Sequence, residues 1–213
     1  MALNGYEVHP ISNKYALDMV IENHYLHRSA PAMFSFGLFD EMMLMVGCII
    51  YGKPASPSLC RGVCGPDESD YVIELTRLWI ADITPRNAES FLIGASLKML
   101  PKEYDIVVSY AEIGAGHVGM VYQATNWIYT GLSDAHVEWR LDGDSSKHSR
   151  HLFDEHGGVD GAKAFYGDRL ERHERGRKHR YVMFRGSKFR RRELLGKLRY
   201  EVREYPKVFE KVF

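Results

Sequence analysis

Apolar residues change their spacing from one stretch of this chain to the next, and the spacing predicts what each stretch forms. Residues 6–11 alternate partly and read as a short strand. Ser12 follows as an N-cap for a helix to about residue 22, whose buried stripe is Ala16, Leu17, Val20 and Ile21. A polar, aromatic turn over residues 23–29 is closed by Pro31. Residues 34–39 and 42–51 read as the arms of a hairpin joined at Asp40-Glu41, and the Pro-, Gly- and Ser-rich stretch 53–70 reads as a long loop. Residues 71–80 form a central-strand pattern. Thr84 then supplies an N-cap and Pro85 a first helical position for a helix to about residue 100. Residues 105–111 are a second buried strand, followed by Gly114-Ala115-Gly116 and a helix over 117–126. Strand, helix, strand in this order makes a parallel βαβ unit, in which ligands sit beyond the carboxyl ends of the strands, here near residues 80–84 and 112–116. Residues 127–130, 136–141 and 181–184 read as further strands, and 187–200 as a last helix.

Composition narrows this picture. With 213 residues, 45% hydrophobic and 12% aromatic, the chain can bury a sizeable core. One domain is expected, with a core over residues 1–145 and a basic, partly helical extension over 146–213 packed on it. No run of eighteen apolar residues and no basic-then-apolar start occurs, so a cytoplasmic protein without a membrane partner is expected. Cys48 reads as a core residue, and Cys60 and Cys64 as two loop thiols whose spacing does not suit a zinc knuckle. The formal net charge is zero, yet eleven Lys/Arg against Glu171 and Glu174 lie between Arg169 and Arg192. Such a cluster can release counterions from a polyanion even when the whole protein is neutral. Arg177, Lys178, Arg180, Lys188, Arg190, Arg191 and Arg192 are therefore the candidate nucleic-acid contacts, the alternative being a solvated charged helix. His148, His151 and His156 have a loose metal-like spacing, but in a polar region a surface reading is favoured.

The order of elements resembles the GNAT acyltransferase fold, an α/β (α+β) scaffold with a mixed central sheet flanked by helices. Three strings sharpen the resemblance: Glu74-Leu75-Thr76-Arg77-Leu78-Trp79-Ile80, Asp105-Ile106-Val107-Val108-Ser109-Tyr110-Ala111-Glu112, and the run from Gly116-His117-Val118-Gly119 to Trp127. Together with Lys178-His179-Arg180-Tyr181 they resemble the Mom family of DNA-modification proteins of Mu-like bacteriophages. That resemblance implies a transferase that converts the exocyclic amine of adenine in DNA to a carbamoylmethyl derivative and so shields phage DNA from host restriction. It implies His24, Tyr25, Arg77, Ser90, Glu112 and Tyr122 as catalytic residues, and Fe(II) held by His24 and Glu112. The family has aspartate where Glu112 stands, which moves the carboxylate by one methylene. The donor of the carbamoylmethyl group is not identified. Before the capped helix, the turn Ala81-Asp82-Ile83-Thr84-Pro85-Arg86-Asn87-Ala88 lacks the glycines that cradle a pyrophosphate. Arg86 and Asn87 can still attract a cofactor phosphate there, but the turn argues against acyl-coenzyme A.

The chemistry agrees with these residue types. Adenine's amine is a poor nucleophile, and in a duplex it is also paired, so the base must be extruded and a proton removed. Tyr25, Trp79 and Tyr122 can stack on or hydrogen-bond a base; His24 or Glu112 can act as base or ligand; Arg77 can hold an anionic donor or orient Glu112 through a two-pronged ion pair. Two other functions stay open: a GNAT-type N-acetyltransferase for RNA, protein or a small amine, and a DNA-binding module without catalysis. The expected partner is double-stranded DNA with a flipped adenine; monomer and homodimer both stay open.

Overall fold

A computed structural model describes residues 3–54, 56–142 and 149–207. It shows the mixed α/β sheet flanked by helices that the sequence predicts. The chain forms two compact units, one of residues 1–111, 117–131 and 179–213, the other of residues 112–116 and 132–178.

In the first unit, β1 (Glu7–Ile11) pairs antiparallel with β2 (Phe34–Phe39), and β2 with β3 (Met45–Gly52). Between β1 and β2 lies α1 (Asn13–Asn23), capped by the Ser12 hydroxyl, which accepts from Tyr15 N–H. Its stripe is narrower than expected: Ala16 and Val20 are buried, whereas Ile21 is exposed. The hairpin turn is longer than two residues because the Asp40 carboxylate accepts from the N–H groups of both Met42 and Leu44, which moves the start of β3 to Met45.

The long loop expected over 53–70 is instead mostly helical. Ser56 caps α2 (Pro57–Cys64), Pro57 occupies the first helical position, and Gly65, at φ 106°, ends it. Cys60, Val63 and Cys64 then share one helix face and are buried against Val72, Ile106 and Leu194, so both loop thiols are core residues. A 3-10 turn, Pro66–Tyr71, leads into β4 (Val72–Ile80).

β4 pairs antiparallel with β3 and parallel with β5 (Ile106–Glu112), and α3 (Ala88–Met99) connects the two parallel strands. The helix begins later than Thr84-Pro85. The Thr84 hydroxyl closes a turn onto Ala81 O, and Asn87, in the left-handed region, becomes the N-terminal boundary without a side-chain cap bond. The helix expected over 117–126 is a short α4 (Met120–Ala124). β6 (Ile128–Leu132) is an edge strand, and a late strand, β9 (Lys178–Phe184), inserts between β5 and β6, giving the order β1-β2-β3-β4-β5-β9-β6. A final helix, α7 (Lys188–Lys197), is capped by Ser187.

The chain leaves this sheet after β6 and returns at β9. In between it builds the second unit: β7 (His136–Leu141), α5 (Ser149–Asp154), α6 (Val159–Tyr166) and β8 (Leu170–Arg175), with β7 and β8 antiparallel. Leu141, Leu152, Ala162 and Leu170 form its own small core. At its neck, Ser133 N–H donates to Lys178 O at 2.7 Å. His148 lies outside the described residues; His156 stacks on Phe165 and sits 3.1 Å from the Tyr166 hydroxyl.

Candidate active site

Two irregularities in the first unit coincide. The parallel ladder between β4 and β5 ends at the pair Leu75 and Ser109, although β4 continues to Ile80 and β5 to Glu112. Beyond that pair the two strands fork. On the other side of β4, Tyr51 opposes Leu75 and Ile50 opposes Arg77, so Thr76 is an extra residue, a β-bulge. The bulge reverses the facing of the residues beyond it. Strict alternation would put Arg77 on the face of Ile73 and Leu75, which pack under α3. Opposite Ile50, it lies instead on the face covered by α1, whose Ala16 and Val20 pack on Ile50 and Cys48.

Arg77 there meets the segment after α1. Its guanidinium donates to Ser29 O at 3.0 Å, to Arg28 O at 3.5 Å and to Thr76 O at 2.7 Å, while its buried Nε has no acceptor. These carbonyl oxygens hold the guanidinium in place. His24 closes α1 as its C-cap and is buried. Its Nδ1 accepts from Leu26 N–H at 3.1 Å, which places the proton of the neutral ring on Nε2. Burial first, then the charges of Arg77, His117 and His27, push its pKa down to about 4. His24 is therefore a neutral hydrogen-bond donor at physiological pH. Tyr25 stacks on it at 4.3 Å between ring centres and is half exposed, with the His117 ring 5.3 Å away from Tyr25 and tilted against it.

Tyr122 lies at the crotch of the fork. Its hydroxyl is 2.8 Å from Ser109 Oγ, which is itself 2.9 Å from Leu75 O. The ring is buried against Trp127 and Tyr181, and burial pushes its pKa up to about 12. The structure thus brings His24, Tyr25 and Arg77 together on the α1 side. Ser90, in the first turn of α3, has no part in that cluster. Glu112 belongs to the second unit, where its carboxylate is 2.6 Å from Lys178 Nζ. His117, on the loop after β5, joins the cluster without having been expected; the signal was its place just past the carboxyl end of a parallel strand.

These residues do not fit an iron centre. His24 Nδ1 and the Glu112 carboxylate are already engaged, and among the described residues no three His, Cys, Asp or Glu side chains converge as ligands. In the turn before α3, Arg86 and Asn87 are both exposed.

The basic C-terminal segment divides into two kinds of cation. Arg180 is buried, with Nε on the Thr130 hydroxyl and its guanidinium 3.4 Å from the centre of the Tyr200 ring. Arg190 points inward to Glu68 at 2.5 Å and Asp105 at 2.7 Å, and Lys178 holds Glu112. These three are structural, in place of the expected phosphate contacts. Lys188, Arg191, Arg192 and Arg177 are exposed.

A mixed sheet with a forked parallel pair and a histidine–tyrosine–arginine cluster beside the fork defines an α/β protein with a built polar site. The model of the Mom protein family matches residues 5–207, and the chain belongs to that family. Methylcarbamoylase mom of Escherichia phage Mu is 31% identical over 137 residues, covering 63% of this chain and 53% of that protein. The match thus spans about half the length of that relative. Similar solved structures include a GNAT family acetyltransferase from Elizabethkingia anophelis with acetyl-CoA bound (TM-score 0.44, 11% identity, 85% of this chain and 99% of that one). Another is spermidine/spermine N-acetyltransferase from Vibrio cholerae (TM-score 0.44, 8% identity, 84% and 92%).

Proposed function

We propose that this protein is a phage DNA-modification transferase that attaches a carbamoylmethyl group to the exocyclic amine of adenine in duplex DNA and so protects that DNA from restriction. The observation that carries the reading is the fork beside the Thr76 bulge, where Arg77, His24 and Tyr25 meet in a member of the Mom family. An extruded adenine at the fork would present its amine to a carbamoylmethyl donor bearing a leaving group. The Nε2–H of neutral His24 would donate to a ring nitrogen of the base or to the departing group. Arg77, with a fixed charge held by three carbonyls, would stabilise negative charge developing on the donor. Half-exposed Tyr25, one ring face of which is taken by His24, would hold the edge of the base.

The duplex would lie on the same face of the sheet. Leu194 of α7 packs on Val72 and Ile106, at the amino ends of β4 and β5, and Arg77 is five residues along β4. At about 3.3 Å per residue that is roughly 17 Å, within one turn of B-form DNA. Lys188, Arg191 and Arg192 can therefore hold phosphates flanking a base in the fork.

Mass spectrometry of nucleosides from plasmid DNA of expressing cells tests the reading. A carbamoylmethylated adenosine that disappears in Arg77→Ala is expected. Unaltered adenosine from cells making folded protein overturns it, and acetylation of an added amine by acetyl-CoA points to an acyltransferase instead.

A further inference from the structure

We infer that His117 is the catalytic residue that takes the proton from the amine of the extruded adenine. The inference rests on the DNA-modification reading and adds the group that reading lacks. A proton acceptor is needed beside the fork; His27 lies on the α1 side of the cluster, its Nδ1 2.9 Å from Ile21 O, whereas His117 comes from the loop that follows β5 at the fork itself. His24 keeps its proton on Nε2 because Nδ1 is occupied by Leu26 N–H. The Arg77 guanidinium stays charged at any working pH. Tyr122 is buried in the aromatic core, its hydroxyl 2.8 Å from Ser109 Oγ. His117 is exposed and carries an imidazole 5.3 Å from the half-exposed Tyr25 ring.

Its backbone is anchored on the carboxyl side. Gly116 (φ 74°) and Gly119 (φ 77°) both occupy the left-handed region, and a Cβ at Gly119 would collide with the Tyr181 ring. The carbonyl of Val118, next to His117, accepts from the Tyr181 hydroxyl and from Gln123 Nε2 at 3.1 Å. A general base acts only if it is held within reach of its proton, and this loop is fixed from beneath by buried groups. In the reaction, the amine lone pair forms the bond to the donor's methylene carbon while the leaving group departs with the carbon–leaving-group electron pair. The proton freed from the amine moves to His117, whose exposure lets it pass on to solvent.

The test uses purified protein and plasmid DNA in a bacterial extract that supplies the donor, with modified adenosine measured against time. His117→Ala is expected to slow modification by about 100-fold or more. Duplex affinity and melting midpoint should stay at parental values, added imidazole should restore part of the rate, and His117→Gln should stay slow. A parental rate in either variant overturns the inference, as does a slow Ala variant that imidazole does not accelerate. Parent protein that leaves adenine unaltered overturns the DNA-modification reading itself, a result visible without any variant.

Discussion

The two ends of the β4–β5 pair are built from opposite electrostatic logic. At the amino end, buried carboxylates are paired with cations. Buried Glu68 accepts from Arg190 and from Lys197 at 2.6 Å, Arg190 also reaches Asp105 and Glu193, and α2 and α7 close over the apolar residues beneath. Toward the carboxyl end, the ladder opens at Leu75 and Ser109, and cationic or neutral-donor groups gather: Arg77, His24, His27 and His117. Arg77 keeps a buried Nε without an acceptor. Buried donors are nearly always satisfied, so a site that leaves one open is held there by the rest of the fold. The first end is knitted together by ion pairs, and the second is where the proposed site lies.

Changes at the two ends should accordingly separate activity from stability. The largest effect is expected at Arg77. Arg77→Lys keeps a charge but loses the planar fork that reaches three carbonyls, and should lower DNA modification by about 1000-fold while shifting the melting midpoint little. Modification surviving in the lysine variant would return Arg77 to the role of strand cover. Next is Glu68→Ala, which leaves Arg190 only Asp105 and Glu193 as partners and should cost about 2 kcal/mol in chemical denaturation with the site chemistry intact.

Acid should distinguish the ends as well. Hydrogen bonds from Arg190 hold the Glu68 carboxyl at about 2 against 4.5 in a free side chain. Its contribution is complete above pH 4.5 and is lost as pH falls toward 2. Burial lowers His24 from 6.5 to about 4, so between those values the unfolded chain binds a proton that the folded one does not. Stability should therefore decline from pH 6.5 to 4 through His24 and from 4.5 to 2 through Glu68. Melting curves of His24→Gln and Glu68→Gln should each flatten only its own window; a single shared window would show that the ends are not independent. The smallest effect is expected on the exposed face of α7. Replacing Arg191 and Arg192 with alanine should reduce the salt slope of duplex binding by about 2, whereas Arg190→Ala should leave the slope and lower stability.

Much of the first unit can be read from local pattern, because its strands are dense apolar runs and Ser12 and Ser187 are ordinary caps. Features that could not be read depend on contacts distant in sequence. Ser56-Pro57 followed by Leu59, Cys60, Val63 and Cys64 is a helix signal, but the surrounding Gly, Pro and Ser residues obscured it. The facing of Arg77 depends on an extra residue in the β3–β4 register, which no periodicity in β4 alone reveals. Arg180 and Arg190 look like their solvent-facing neighbours until Thr130, Tyr200, Glu68 and Asp105 are brought against them. His24, Tyr25 and Arg77 were legible through family resemblance. His117 carried only positional information.

The neck between Ser133 and Lys178 governs how such chains can vary in size. Because β6 and β9 are neighbours in the sheet, the excursion over residues 134–177 starts and finishes at one spot, clasped by hydrogen bonds between Ser133 and both Lys178 and Arg177. Closure entropy grows only with the logarithm of contour length, so trimming that appendage to about ten residues would alter the cost of closure by about 1 kcal/mol. Grafting, shortening or exchanging whatever hangs from this clasp is therefore topologically cheap, and lineages can remodel it without redrawing the sheet.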